Sequence, residues 1–490
     1  MKSTLFKVLT VIVFFAVLLL PVLESDKIGG ALSPNENRYL AKFPPLFTEN
    51  YNFSPEFKSG FELWLNDNLG GRQKLIQLSK TINYRFFGEL GFSGYRVING
   101  PNGWLFYAPD PEIPYIVNSF VPDDAVKMNI KNSFERIAEG LKGSNTALVV
   151  GMWPPKFDVY PEELPSNLRL VNTYSAAEAI DEELKNASGF SYASPFDELV
   201  ANKSNFPTYS RAVDVGHWNQ YGAFIGYSAL MEAVKEHFPA LRILTEEDFS
   251  VTEVERELKT DWGFASRETD LHYEPKFTRS AIEDAGFFDR INFVSKDIWK
   301  SYRYFQNPDT TLPKAILVGD SYVWQFLLQN MAESFSELVF IHYLDLDQLN
   351  SLAAVVEPDV IMLTGQGFPA VWALSQVSIQ NLSAEIISHD TPATIERGES
   401  YNVNILVRNT GDQSWSEDDQ IRLCIFQDGK DHGYRVHLPE GFTLEPGQEY
   451  TFVLYNLRAP AGDTTFLEFQ MLQEGHQYFG EKERVDIVVK

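Results

Sequence analysis

The chain has 490 residues, too many for one ordinary hydrophobic core, so its length predicts more than one domain. Lysine and arginine number 41 against 67 acidic residues, which gives a formal net charge of −26. This surplus opposes binding to nucleic acid or anionic membrane surfaces, so we expect no nucleic-acid partner. The single cysteine, Cys424, excludes an intramolecular disulfide, and its strand-like, apolar surroundings predict a buried, unreactive thiol.

The N-terminus has the pattern of an export signal. Lys2 and Lys7 precede an uncharged run at residues 8–23, and acidic residues follow it. The run is shorter than a comfortable transmembrane helix and longer than most signal-peptide cores, so an anchor and a cleaved signal peptide both remain open. We favour a signal anchor with the lysines inside. In either case residues 1–33 place the body of the protein outside the cytoplasm, in the periplasm or at the cell surface.

Helical patterns alternate with apolar, strand-like runs over residues 34–376, which we predict to be the catalytic domain. A long acidic and aromatic insert ends near Pro313. We predict helices near 57–65, 175–184, 220–238 and from 323 onward, and buried strands at 147–153, 315–318, 338–342 and 360–364. This alternation predicts an α/β fold with a parallel sheet flanked by helices. Ligands of such sheets bind beyond the carboxyl ends of the strands.

Residues 377–490 have a different pattern. Short alternating or apolar runs at 401–408, 420–426, 449–457 and 466–472 are separated by turn sequences rich in Gly, Pro, Asn and Asp. Closely spaced short strands of this kind predict an all-β sandwich.

Ser321 stands at a predicted strand-to-helix corner. Gly319, Asp320 and Ser321 follow the buried strand, and apolar residues then recur at helical spacing. Free backbone N–H groups at such a corner stabilise an oxyanion, so a serine there is a candidate nucleophile. The alternative is that Ser321 only caps the helix.

His217 is the best candidate base for this serine, and Asp214 lies three residues before it. A carboxylate at this distance in a turn can hold the Nδ1 proton of the imidazole and leave Nε2 free to deprotonate the serine. The alternative is an ordinary surface turn. We predict no metal site, because the chain has no His-Glu-x-x-His motif and no cysteine pair.

Several motifs in the same order resemble the SGNH-hydrolase-like family of alginate O-acetyltransferases, of the AlgX and AlgJ kind. They are the stretches 64–72 and 102–106, Pro155-Lys156 with 160–162, Asp214-x-x-His217-Trp218 and Gly319-Asp320-Ser321. The resemblance implies an acetyl-serine intermediate on Ser321, with His217 as base and Asp214 as its orienting acid. It also implies a polysaccharide acceptor and a membrane-bound O-acyltransferase as acetyl donor, and we expect no diffusible cofactor.

One spacing departs from the family. Val215 and Gly216 both intervene between Asp214 and His217, whereas the family usually has one intervening residue, so this spacing matches ordinary SGNH hydrolases. The candidates for the oxyanion hole or substrate binding are the Ser321 amide, Gly319, Gln366, Asn219, Lys156 and Trp218.

The C-terminal region resembles an immunoglobulin-like domain of the type named after the next-to-BRCA1 protein, in residues 408–415 and 444–447. A glycan-holding role and a structural or docking role both remain open, and Trp415 fits a sandwich core better than a sugar platform. For the whole chain we expect an extracytoplasmic polysaccharide O-acetyltransferase. The alternatives are a carbohydrate esterase with the same triad and a non-catalytic glycan-binding or scaffold protein.

Overall fold

The computed structural model describes most of the chain beyond its N-terminal segment. The described residues are 10, 14, 30–33, 38–48, 52–70, 72–87, 90–92, 95–260, 263–291, 293–324, 326–377, 382–411, 413–458, 464–474 and 477–490. The predicted anchor at 8–23 lies outside them, except for positions 10 and 14. Within these residues, no helix is both long enough and apolar enough to cross a membrane.

A seven-stranded sheet forms the centre of the first part of the chain. Its spatial order is Ile282–Glu283, Arg303–Gln306, Glu337–His342, Lys314–Gly319, Val360–Gln366, Ala147–Trp153 and Ser191–Ala193. The last five of these strands run parallel, and the first two add an antiparallel edge. Apolar clusters cover both faces, which explains the uninterrupted apolar runs in the sequence. The predicted α/β fold is confirmed.

Twelve α-helices with defined bounds occur in the described residues before 377. They are Phe57–Asn68, Arg72–Ile82, Ile113–Ile116, Asp124–Leu141, Lys156–Val159, Ala176–Lys185, Phe196–Asn202, Gln220–Lys235, Phe287–Arg290, Leu327–Met331, Leu349–Val356 and Gly367–Leu374. Three of them begin at side chains that bond the first-turn N–H groups, and at the first of these Asp123 accepts from the Val126 N–H at 2.9 Å. Ser175 and Glu178 form a reciprocal capping box, and Asn219 accepts from the Gly222 N–H at 3.0 Å.

The predicted helix after Ser321 is wrong in its extent. The chain instead forms a short 3-10 helix, Ser321–Val323, then the helix Leu327–Met331 and a second 3-10 turn, Ala332–Ser334. The apolar side chains of this stretch are buried nearly all round. Their spacing therefore reflects packing on several sides and not one face of a long helix.

The acidic insert contains a hairpin that was not predicted. Strands Phe249–Lys259 and Ala265–Pro275 pair in antiparallel register over their whole length. Shorter strands also pair elsewhere: Leu32–Ser33 pairs with Arg38–Tyr39, and a small sheet contains Gly91–Phe92, Tyr95–Asn99 and Leu105–Tyr107. Leu258 of the hairpin reaches the cavity described below.

The C-terminal region is all-β, as predicted, with sheets arranged as in a sandwich. One sheet contains Ala384–His389, Ser400–Asn409 and Glu449–Arg458. The other contains Thr394–Ile395, Gln477–Val489, Thr464–Gln473, Ile421–Gln427 and Lys430–His437, and Trp415–Ser416 pairs with Thr443–Leu444. Trp415 is fully buried in the core against Phe479, so it offers no platform for a sugar. Cys424 is also buried, as expected.

Candidate functional site

Ser321 lies directly beyond the carboxyl end of the buried strand Lys314–Gly319. The preceding residue, Asp320, caps this corner: its Oδ1 accepts from the Tyr322 N–H at 3.0 Å, and its Oδ2 accepts from the Gln366 N–H at 2.7 Å. The cap is therefore Asp320 and not Ser321. Gly319 is needed for close packing, because a Cβ there would lie 2.8 Å from Thr364 Oγ1. These contacts join residues 319–321, here called the nucleophile corner, to the end of the neighbouring strand Val360–Gln366.

Residues 209–218, here called the histidine loop, bring Asp214 and His217 to the same edge of the sheet. The loop closes on itself through a bridge between Tyr209 and Trp218. One side of it pairs with the strand Leu105–Tyr107, whose Leu105 and Tyr107 N–H groups each donate to loop carbonyls at 2.9 Å. The loop is thus held by backbone bonds on a second small sheet, which limits its freedom.

Asp214, His217 and Ser321 form a continuous line of hydrogen bonds. His217 Nε2 lies 2.7 Å from Ser321 Oγ, and Nδ1 lies 3.0 Å from each carboxylate oxygen of Asp214. This pattern favours the tautomer with its proton on Nδ1, which leaves Nε2 as the acceptor for the serine proton. The His217 side chain is 30% exposed and that of Asp214 is 25% exposed, so a substrate can reach the pair.

The spacing of Asp214 and His217 makes a tight turn. Asp214 Oδ1 accepts from the backbone N–H groups of both Gly216 and His217, each at 3.0 Å. One carboxylate therefore holds the backbone and the imidazole together. The two intervening residues, which depart from the family pattern, are compatible with a bond between the acid and the histidine.

Two further hydrogen bonds connect the histidine loop to the nucleophile corner. The Tyr322 hydroxyl donates to the Gly216 carbonyl at 2.7 Å, and Trp218 Nε1 donates to the Tyr322 carbonyl at 3.1 Å. Trp218, a substrate-binding candidate from the sequence, is buried and does not line the cavity. Its position instead fixes the distance between His217 and Ser321.

The charges of Asp214 and His217 shift each other's pKa. Burial alone would raise the pKa of Asp214, but the bond and charge of His217 and the local N–H donors hold it well below its usual range. Burial opposes a charged imidazole, yet the bond to Asp214 and its negative charge raise the pKa of His217 above its ordinary value. A raised pKa makes His217 a stronger base for a hydroxyl proton.

Lys156 lies under the histidine loop with its ammonium group fully engaged. Nζ donates to the carbonyl oxygens of Leu105 at 2.5 Å, Arg211 at 3.2 Å and Asp214 at 3.4 Å. Burial lowers its pKa to about 7, against the opposing attraction of Asp214 and Glu268. An ammonium has three protons to donate, and all three have acceptors here. Lys156 is therefore placed to hold the loop backbone and not to bind an oxyanion.

The remaining oxyanion candidates differ in placement. Asn219 is buried and does not line the cavity: its Oδ1 caps the following helix and its Nδ2 donates to the Pro207 carbonyl at 2.5 Å. Gln366 does line the cavity beside Ser321. The Ser321 N–H makes no hydrogen bond to any other described residue, which leaves it available to a substrate oxygen.

A cavity of about 510 Å³ opens over Ser321 and His217, a size within the usual range for ligand sites. Its walls combine aromatic and apolar side chains with a few charged ones. The lining comprises Phe106, Tyr107, Glu112, Lys156, Phe157, Val213, Asp214, Val215, Gly216, His217, Leu258, Ser321, Tyr322 and Gln366. In the described part of the chain, no cluster of three or more His, Cys, Asp or Glu side chains could hold a metal ion.

Glu268 is a site residue that the sequence did not indicate. It lies buried on the hairpin strand Ala265–Pro275 and accepts from the Ser210 hydroxyl at 2.5 Å and from the Ala212 N–H at 2.8 Å. Ser210 Oγ in turn accepts from the Asp214 N–H at 2.7 Å. Glu268 thus holds the backbone that carries Asp214. The only sequence signal was the partial alternation of the hairpin strands.

The comparisons with known proteins indicate an SGNH hydrolase-like domain. Residues 97–337 match the sequence profile of the SGNH hydrolase-like domain of acetyltransferase AlgX. This part of the chain is therefore similar to SGNH hydrolase-like acetyltransferases, which supports an enzyme role at the level of that family. No curated protein matches the sequence significantly.

Three solved structures are similar at low identity. Bacillus cereus PatB1 aligns at 13% identity and a TM-score of 0.42, over 56% of this chain and 97% of that chain. The O-acetyltransferase domain of Pseudomonas putida AlgJ aligns at 18% identity and a TM-score of 0.35, over 58% and 94%. Pseudomonas aeruginosa AlgX aligns at 13% identity and a TM-score of 0.36, over 79% and 90%.

Proposed function

We propose that this protein is an O-acetyltransferase that carries an acetyl group on Ser321 and passes it to a polysaccharide hydroxyl. The observation that supports this most directly is the hydrogen-bonded line from Asp214 through His217 to Ser321 at the floor of an open cavity. The match of residues 97–337 to the AlgX-type acetyltransferase domain supports acetyl as the transferred group.

In the first half-reaction, Ser321 Oγ attacks the carbonyl carbon of an acetyl donor while His217 Nε2 takes the hydroxyl proton. The carbonyl oxygen becomes an oxyanion, which the free Ser321 N–H is placed to bind. The bond between the acetyl carbon and the leaving group then breaks. His217 returns its proton to the leaving group, and acetyl-Ser321 remains.

In the second half-reaction, a sugar hydroxyl attacks the acetyl carbon and gives its proton to His217. The ester bond to Ser321 breaks, and the proton passes from His217 to Ser321 Oγ. The acetylated sugar leaves and the free serine is restored, so no net charge or proton accumulates. Asp214 stays ionised throughout and stabilises the imidazolium that forms twice in the cycle.

The setting we propose is extracytoplasmic. The export pattern at residues 1–33 supports this location, with the segment acting as a signal anchor or signal peptide. We propose a membrane-bound O-acyltransferase as the acetyl donor, residues 34–376 as the catalytic domain, and residues 377–490 as an immunoglobulin-like domain that holds the glycan or docks a partner.

The same geometry supports a carbohydrate esterase if water replaces the sugar hydroxyl. Incubation of the purified protein with 4-nitrophenyl acetate, with and without an oligosaccharide acceptor, tests the choice. If the protein is a transferase, mass spectrometry detects acetylated oligosaccharide. Less acetate is then released when the acceptor is present. Acetate release that the acceptor does not diminish, with no acetylated product, contradicts the transferase and favours the esterase.

Replacing Glu268 with glutamine is expected to lower kcat/KM for 4-nitrophenyl acetate by about tenfold, as the loss of a positioning bond typically does. Glutamine has one fewer acceptor oxygen for Ser210 and the Ala212 N–H, so Asp214 loses its fixed place beside His217. The His217 pKa then falls, and the low-pH limb of the rate profile moves to lower pH.

The matched control is Glu253→Gln, an exposed glutamate on the partner strand of the same hairpin. It is expected to leave both the rate and the pH profile unchanged. A purely structural role for Glu268 would lower the melting temperature without moving the pH profile, and that result would contradict the positioning role.

A further inference from the structure

Glu112 lies at the junction of two cavities. It ends the 3-10 helix Asp110–Glu112 and lines the catalytic cavity together with Ser321 and His217. It also lines an adjoining side cavity of about 10 Å³, too small to admit a sugar, which shares Phe157 and Gln366 with the first. A group held at Glu112 therefore lies in the same cavity as the reacting serine.

The Glu112 carboxylate has no hydrogen bond or ion pair with another described residue, although the side chain is half-buried. Burial raises its pKa. The other charged groups of the cavity are already engaged: Asp214 holds His217, and Lys156 donates to three carbonyls. None of the described residues that line the side cavity is basic. Among the described residues, Glu112 is thus an acidic side chain without a partner, in a cavity whose lining offers no free cation.

An unpaired carboxylate in such a place favours particular ligands. Its oxygens accept hydrogen bonds from sugar hydroxyls and attract an ammonium group, whereas a second carboxylate beside it is repelled. Tyr107 lines the same cavity and is 40% exposed, so it offers an aromatic surface to a sugar ring. At longer range, the net charge of −26 also repels anionic glycans and attracts cationic ones.

We propose that Glu112 binds the acceptor glycan and selects chains of neutral or amino sugars over chains of uronic acids. The inference rests on the proposed function, because it assigns the acceptor class of that site. A transferase that acts on a polyuronate would need free cations in its cavity to pair with the carboxylates of the substrate. The proposal therefore assigns a different acceptor class to this protein.

Binding to the full chain carrying Ser321→Ala tests the proposal without turnover. Isothermal titration calorimetry measures the Kd of this variant for three hexasaccharides, which are the linked hexamers of glucose, of glucosamine and of galacturonate. The glucose and glucosamine hexamers are expected to bind at least about tenfold more tightly than the galacturonate hexamer. Adding Glu112→Gln is expected to narrow this ratio by at least about fivefold, because the amide keeps the hydrogen-bonding shape and removes the charge.

The control is Glu247→Gln, an exposed glutamate in another 3-10 helix, which is expected to leave the ratio unchanged. Equal or tighter binding of galacturonate, a ratio unaffected by Glu112→Gln, or no binding of any hexamer would each overturn the proposal. Failure of the proposed function is distinguishable, because it shows as absent acetyl transfer by the wild-type protein whatever the order of binding.

Discussion

Replacing Ser321 with alanine is expected to lower kcat for acetyl ester turnover by about 10⁴-fold or more. The reason is that Ser321 Oγ is the atom that His217 Nε2 reaches at 2.7 Å, and alanine leaves the base without a nucleophile to deprotonate. Steady-state release of 4-nitrophenol measures the loss. The same variant is expected to lose covalent labelling by a serine-directed sulfonyl fluoride, which intact-protein mass spectrometry detects.

Ser250→Ala is the matched control, because Ser250 is exposed on the hairpin and outside the cavity. It is expected to keep full turnover and labelling. If Ser321→Ala retains both, Ser321 is not the nucleophile. Glycan binding that persists in a protein without turnover would then favour the scaffold alternative.

Asp214→Asn is expected to lower kcat by about 10³–10⁴-fold and to change the pH dependence of the residual activity. The base is active only as a neutral imidazole, so kcat/KM falls as pH decreases through the pKa of His217. Asp214 raises that pKa, which puts the low-pH limb of the wild-type profile above 6.5, the ordinary value for histidine. Asparagine removes the negative charge, so the limb moves to lower pH.

The profile of kcat/KM against pH measures this shift directly. Asp289→Asn, at an exposed aspartate whose side chain has no hydrogen-bonded partner among the described residues, controls for the general effect of removing one negative charge. A variant whose low-pH limb stays in place or moves to higher pH would show that Asp214 does not set the His217 pKa. An unchanged kcat would remove Asp214 from the mechanism altogether.

The sequence alone determined the class of fold and the candidate reacting groups. The runs at 147–153, 315–318 and 360–364 have no polar alternation, and a strand buried on both faces is the element that accommodates such runs. Asp214 and His217 were found because their interaction is local, within one turn. Ser321 was found because the change from strand to tight turn is visible in a few consecutive residues.

The tertiary structure decided what depends on contacts between distant segments. The apolar spacing after Ser321 predicted a long helix, but burial on several sides breaks it into short pieces. Asn219 and Lys156 have the chemistry of oxyanion donors, yet each donates to carbonyl groups that only the fold brings near. Glu268 reaches the histidine loop from a hairpin more than fifty residues away in the chain. The chemistry of a side chain depends on its residue type and can therefore be inferred from the sequence. The partner of that side chain is decided only when distant segments of the chain pack together.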